Sequence, residues 1–178
     1  MDDIIAACKT GDKSAQKQLF ATYAKGMLLL CRRYVKDAHS AEELMMNGFY
    51  KFFSTIERFR YAGKDSVGAW MKRIMVNECL MFLRESKSIR LMSEEQAAEH
   101  VLDETVFTSM SAQEIVQLIN QLPDGYRTVF NLFVIEGYSH KEIAALLRVS
   151  EGTSKSQLNK AKQTLQKVLE QKRLGYER

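Results

Sequence analysis

Three apolar stretches of helical periodicity in this sequence open on a serine followed three residues later by a glutamate: Ser40 with Glu43, Ser111 with Glu114, and Ser139 with Glu142. At that spacing the hydroxyl and the carboxylate reciprocally satisfy backbone N–H groups left open in the first turn of a helix. With one proline and nine glycines in 178 residues, and neither an internal repeat nor a strand pattern, the chain is expected to be all-α. The third box constrains the fold most. Ser139 to Lys162 reads as a helix-turn-helix whose first helix starts at His140 and sets Ile143, Ala144 and Leu147 on one face. Small Ala144 and Ala145 permit close approach, Val149 tucks under the turn, and Ser150 caps a second helix that runs through Lys162.

That second helix has the chemistry of a groove reader. If Leu158, Ala161 and Leu165 point inward, Thr153, Ser156, Lys160 and Gln163 point outward, with Gln157 and Asn159 on the flanks. Such side chains are long enough and polar enough to reach base edges. Lys155 and Lys162 lie nearer the buried side, where a long stem can curl out to phosphate. From Lys155 to Arg173 there are six basic residues against one acid, Glu170. A basic run alone is equally well a solvated helix face; turn, caps and one-sided charge together point to DNA binding.

Upstream, Asp2 to Tyr23 reads as a short helix and a second one, broken at Gly11-Asp12, and Gly26 to Val35 continues as strongly apolar helix. The Ser40 box starts a helix to about Phe59, in which Phe49, Phe52, Phe53, Ile56 and Phe59 are read mostly as core. Arg60 to Lys64 is then a basic loop containing Tyr61, after which Asp65 caps a helix from Ser66 to about Glu85. Trp70, Ile74, Cys79, Phe82 and Leu83 are its expected packing residues, with Lys72, Arg73, Asn77 and Arg84 as the polar complement. An aromatic, basic loop leading into that helix is a platform for unstacked bases, or an aromatic core beside solvated charge.

Residues 86–110 change character: they carry two basic and five acidic side chains, against 14 and 10 in residues 1–85 and 10 and 7 in residues 111–178. Two basic blocks of +4 and +3 thus flank an acidic segment of −3, a pattern suited to gripping one polyanion at two places. The acidic segment is expected to be a flexible linker, able to span roughly 85 Å at about 3.4 Å per residue. After it, a helix from the Ser111 box through Leu122 ends at Pro123, and another from Asp124 to Glu136 closes at Gly137. The expected organisation is therefore two small helical domains, 1–85 and 111–178, joined by 86–110.

Other function classes find little support. Cys8, Cys31 and Cys79 share no metal-ligand spacing with His39, His100 or His140 and read as reduced, mostly buried thiols of a cytosolic protein. The acidic start Met1-Asp2-Asp3 lacks the form of a signal peptide, and the apolar run Met27 to Cys31 is too short to cross a bilayer. No carboxylate pair or Cys/His pair has a catalytic context, so neither enzyme activity nor a cofactor or metal is expected.

Together these residues resemble the extracytoplasmic-function sigma factors of bacterial RNA polymerase. The resemblance to the family's region four runs through Leu122-Pro123, Arg127, Val129-Phe130, Glu136-Gly137-Tyr138-Ser139, Glu142-Ile143-Ala144, Leu147, Val149-Ser150, Gly152-Thr153, Lys155-Ser156, Leu158 and Ala161-Lys162. Region two is carried by Ala41-Glu42-Glu43-Leu44, Phe49, Trp70, Arg73-Ile74, Asn77 and Leu83-Arg84. The resemblance implies that Thr153, Lys155, Ser156, Gln157, Asn159 and Lys160 read the minus-thirty-five promoter element. It implies that a flipped minus-ten base is captured by the Arg60–Lys64 loop, with Arg60, Tyr61, Lys64, Lys72, Arg73, Asn77 and Arg84 as the contact set. The helix carrying Glu42, Glu43, Met46, Asn47 and Tyr50 would bind the clamp helices of core RNA polymerase, and an anti-sigma factor is a further implied partner. Met46-Asn47, Met81 and Ser154 depart from the residues usual in the family, and Lys155, Lys160 and Lys162 stand where arginine is frequent. An ordinary helix-turn-helix regulator is the rival reading, from which the wholly helical front block distinguishes this chain.

Overall fold

A computed structural model describes residues 1–86 and 110–176, which belong to two compact units, Met1–Glu85 and Ser86–Arg178. Most of the described residues lie in eight α-helices, and among them there is no strand. The segment expected to be a linker lies, from 87 to 109, outside them.

In the first unit, α1 (Asp2–Lys9) leads through Gly11, whose φ of 83° is the left-handed turn a glycine permits, into α2 (Lys13–Tyr34). Asp12 caps α2, its Oδ1 accepting from the backbone N–H groups of Ser14 (2.7 Å) and Ala15 (3.0 Å). The two apolar stretches read on either side of Gly26 are one helix: Gly26 is exposed on α2 and interrupts nothing. α3 (Ala38–Thr55) begins earlier than the Ser40 box predicts. Asp37 is the cap, with Oδ2 accepting from both N and Oγ of Ser40 at 2.7 Å, and those bonds hold its carboxyl below the usual carboxylate range. An aspartate three residues upstream thus captures the serine that was to have capped the helix itself. α3 also ends short of Phe59, giving way to a 3-10 turn at Ile56–Arg58.

α4 (Lys64–Glu85) starts one residue ahead of Asp65, so Asp65 sits inside its first turn rather than capping it. Helices α2, α3 and α4 pack against one another around a core in which α4 contributes Val67, Met71, Met75, Val76, Cys79, Leu80 and Leu83. Of the packing residues expected on α4, Cys79 and Leu83 are buried while Trp70, Ile74 and Phe82 are half-buried. α3 and α4 approach closely at Gly48, where a Cβ would overlap Sδ and Cε of Met75. Cys8, Cys31 and Cys79 are all buried and none is in a disulfide; a hydrogen bond with Cys31, then burial, pushes the Cys79 thiol well up.

The second unit contains α5 (Ala112–Ile119), α6 (Asp124–Phe130) continuing into a π-helical turn at Asn131–Ile135, α7 (His140–Leu147) and α8 (Glu151–Tyr176). α5 stops before Leu122 because its last turns are closed by Gln121 and Leu122 N–H bonds to Leu118 and Ile119 carbonyls. Arg127 is 1% exposed and ties off this corner, donating to the Leu122 carbonyl (3.1 Å) and to Asp124 Oδ1 (2.7 Å). Leu118, Leu122, Val129, Phe130, Leu132, Ile143, Leu158, Ala161 and Leu165 form the core, with α8 packed along α6 and α7.

Candidate nucleic-acid and protein interfaces

The helix-turn-helix is built from local bonds. Ser139 Oγ accepts from the Glu142 N–H (3.3 Å) while Glu142 Oε2 accepts from Ser139 N (2.8 Å) and Oγ (2.7 Å), which lowers the Glu142 pKa. α7 ends at Arg148, the one described non-glycine residue in the left-handed region (φ 57°), and the Val149 N–H closes back on the Ala144 carbonyl at 3.0 Å. Ser150 Oγ then accepts from the Thr153 N–H (2.9 Å) to start α8. Between the helices, His140 Nδ1 lies 2.9 Å from Ser154 Oγ, and its ring stacks on Phe133 (centroids 4.4 Å apart). Burial, then the nearby Lys155, lower the His140 pKa. Ala145, expected at the helix–helix contact, is exposed, whereas Ser154 at 0% exposure provides the close approach.

The six groove-facing candidates on α8 divide. Lys155 is exposed, Asn159 and Lys160 are half-buried, and Thr153 is half-buried with its hydroxyl 3.0 Å from that of Ser150. Two are buried. Gln157 is 1% exposed because it shares the inner stripe with Ser154, Leu158 and Ala161, which the flank assignment placed it just outside. Ser156 is 8% exposed although helical spacing puts it on the side opposite that stripe.

In the first unit the 60–63 loop leaves a stack of aromatic rings. Phe59 lies nearly parallel to Trp70 with centroids 4.9 Å apart, and Trp70 in turn meets Phe52 at 4.9 Å. Arg60, Ala62 and Gly63 are exposed and Tyr61 half-buried. The loop is latched at both ends: Lys9 Nζ donates to the Phe59 carbonyl (2.8 Å), while Ser66 Oγ accepts from the Ala62 N–H (3.1 Å) and donates to the Gly63 carbonyl (2.6 Å). Gly63 has φ 98°, which a side chain there would strain. Burial raises the Tyr23 pKa, with Asp65 and Tyr61 close enough to add to the effect.

Along α4, Lys72, Arg73, Asn77 and Arg84 are all exposed. Arg73, Asn77 and Arg84 fall within about 40° of arc at 3.6 residues per turn, and Met81, 43% exposed, lies on the same side. Lys72 sits roughly 100° away from Arg73. Lys64 opens the helix. Lys9 was not singled out from the sequence as a latch, since a bond to a backbone carbonyl 50 residues away leaves no local signal; Ser66, which bonds within four residues, was taken only as the start of a helix.

A third surface lies on α3, where Glu42, Glu43 and Asn47 are exposed beside Met46 (53%) and Tyr50 (73%). Glu43, Met46, Asn47 and Tyr50 follow the i, i+3, i+4, i+7 spacing of one helix face. Glu42 is joined to Arg32 of α2 by an exposed 3.2 Å ion pair. Among the described residues no helix is long and apolar enough to cross a membrane, and no cluster of three metal-ligating side chains occurs.

Comparison with known proteins places these surfaces in context. Residues 19–89 match the model of sigma-70 region 2, and residues 112–165 match that of sigma-70, region 4. The chain is 29% identical to the ECF RNA polymerase sigma factor SigW of Bacillus subtilis, with 93% of this chain and 94% of that protein covered. It is 28% identical to the RNA polymerase sigma-H factor of Pseudomonas aeruginosa over 94% and 92% of the two chains. Among solved structures, CnrH in complex with the cytosolic domain of CnrY has a similar fold, with a TM-score of 0.51 at 18% identity over 94% of this chain and 95% of that one.

Proposed function

Because the chain belongs to the extracytoplasmic-function sigma factors of the sigma-70 family, we propose that it binds core RNA polymerase, directs it to particular promoters and helps to open them. The observation that carries this reading is the occurrence, in order along one chain, of both region matches, each lying over a unit with an exposed polar surface of its own. The same observation weighs against a stand-alone helix-turn-helix regulator, for which the first unit would have no use.

In this reading the upstream promoter element is gripped by the N-terminal turns of α8, with Lys155, Asn159 and Lys160 toward the groove and Thr153 near the backbone. Ser156 and Gln157 are left out of the base-reading set by their burial. Lysine offers a compact point charge rather than a planar fork, so Lys155 and Lys160 suit phosphate or single base acceptors more than bidentate guanine readout. Opening belongs to the first unit. Unstacking a base costs a few kcal/mol, and stacking it on an aromatic side chain returns about 1–3 kcal/mol. Tyr61 alone nearly offsets one captured base, while Arg60, Arg73, Asn77 and Arg84 hold the adjoining backbone and Lys72 adds charge at the margin. No bond is made or broken, so the activity is binding rather than catalysis.

The α3 face of Glu42, Glu43, Met46, Asn47 and Tyr50 is the proposed polymerase contact: two exposed apolar side chains ringed by acids have the make-up of an interface core with a polar rim. An anti-sigma factor is the second protein partner proposed, in keeping with the capture of CnrH with the cytosolic domain of CnrY. With polymerase and promoter as partners, the site of action is the cytoplasm. The test is to mix the purified chain with core polymerase and a promoter library. Initiation at a defined subset of promoters is expected, and binding of duplex DNA with no promoter-directed transcription would overturn the reading.

A further inference from the structure

The loop assigned to base capture is held partly by a helix that lies ahead of the residues matched as region 2, which begin at position 19. Lys9 is the last residue of α1, and its Nζ reaches 2.8 Å to the carbonyl of Phe59, the residue immediately before Arg60. α1 also packs on the Ile56–Arg58 turn that delivers the chain to this point. The Phe59 ring is fixed independently by its stack on Trp70. With the ring held on one side and the carbonyl on the other, the Phe59–Arg60 peptide plane has one orientation, and that plane sets the direction in which Arg60 and Tyr61 leave the fold. Ser66 fixes the far end through Ala62 and Gly63 but leaves the near end to Lys9. A bond from an ammonium to a carbonyl is charge-assisted and short, so it suits a part that must stay in place while a partner is pulled against it.

We propose that Lys9 is a positioning residue for promoter opening: through the Phe59 carbonyl it aims the Arg60–Gly63 loop at the base to be captured, without itself touching DNA. This rests on the reading of that loop given above.

The experiment uses holoenzyme reconstituted from the full chain and core polymerase, on a promoter recovered from the library, with closed-complex formation and permanganate reactivity of promoter thymines measured separately. Lys9→Met keeps the stem and removes the donor. It is expected to bind core polymerase and form closed complexes as wild type does, while opening falls about tenfold, the scale of one hydrogen bond to a charged group. Lys9→Arg, which keeps a cationic donor, recovers most of the loss. Hydrogen exchange of the Arg60–Gly63 amides accelerates in Lys9→Met and not in Lys9→Arg. If Lys9→Met opens the promoter normally while Tyr61→Ala does not, the loop reading stands and the role of Lys9 is refuted. If Tyr61→Ala also opens normally, the loop reading itself fails and takes the proposal with it. Loss of polymerase binding in proportion to opening would mark Lys9 as a stability residue only, and would equally overturn the proposal.

Discussion

Position 48 and position 26 are both glycines inside helices, and the structure gives their replacement by alanine opposite signs. At either site alanine gains about 0.5–1 kcal/mol from the smaller entropy loss of a residue with a Cβ. Gly26 has nothing within 4 Å of an added Cβ, so Gly26→Ala is expected to raise stability by about that amount. At Gly48 the new methyl meets the end of Met75, which is flexible but 0% exposed and so has no open space to move into. Overpacking costs about 1–3 kcal/mol, which exceeds the propensity gain. Gly48→Ala is therefore expected to lower stability by about 1 kcal/mol net, and urea unfolding of the two variants beside wild type decides both signs. His140 gives a pH prediction at the same scale. Its folded pKa lies below the ordinary 6.5 through burial and the nearby Lys155, so the unfolded chain takes up the proton first. Its contribution is complete above 6.5 and is lost as pH falls through the folded value. The thermal midpoint of wild type should accordingly drop more steeply on acidification from about pH 7.5 to about pH 5.5 than that of His140→Gln.

The helix starts show how far spacing rules reach. Two of the three serine–glutamate pairs cap as expected, at Ser111 and Ser139, where both reciprocal bonds of the box are formed. The third was misread because Asp37 precedes Ser40 by the same three residues that separate Ser40 from Glu43, and the spacing rule cannot rank two overlapping claims. The consequence is measurable: Ser139→Ala should cost about 1 kcal/mol, whereas Ser40→Ala should shift the thermal midpoint less than Asp37→Ala. All-α class, the helix-turn-helix and most helix starts were legible in sequence because caps and the 3.6-residue period are local. What was not legible depended on partners far along the chain. Nothing near Gln157 announces that Ser154, not Ala145, would make the close contact with α7 and draw position 157 onto the inner face. Val67, Met71 and Met75 lie deeper in the first core than Trp70 and Ile74, a rotation of α4 set by its packing against α2 and α3.

Across the molecule, a net charge of +4 conceals basic surfaces on both units, and these give promoter binding its expected salt dependence. Each phosphate neutralised releases about one counterion, so the slope of log affinity against log salt changes by about 1 for each such cation removed. Lys155→Gln should flatten the slope for holoenzyme on its promoter by about that much, and weaken all promoters alike rather than changing their ranking. Filter binding across a salt series checks both parts. The α3 helix has the broadest consequence. Its inner side is committed to the core through Leu44, Gly48 and Phe52, whereas Met46 and Tyr50 stand out at 53% and 73% exposure. Substitutions there carry almost no folding penalty, so natural variation can accumulate on that side without being filtered by stability. A surface with that freedom can be refitted to its polymerase one residue at a time while the core beneath it stays the same.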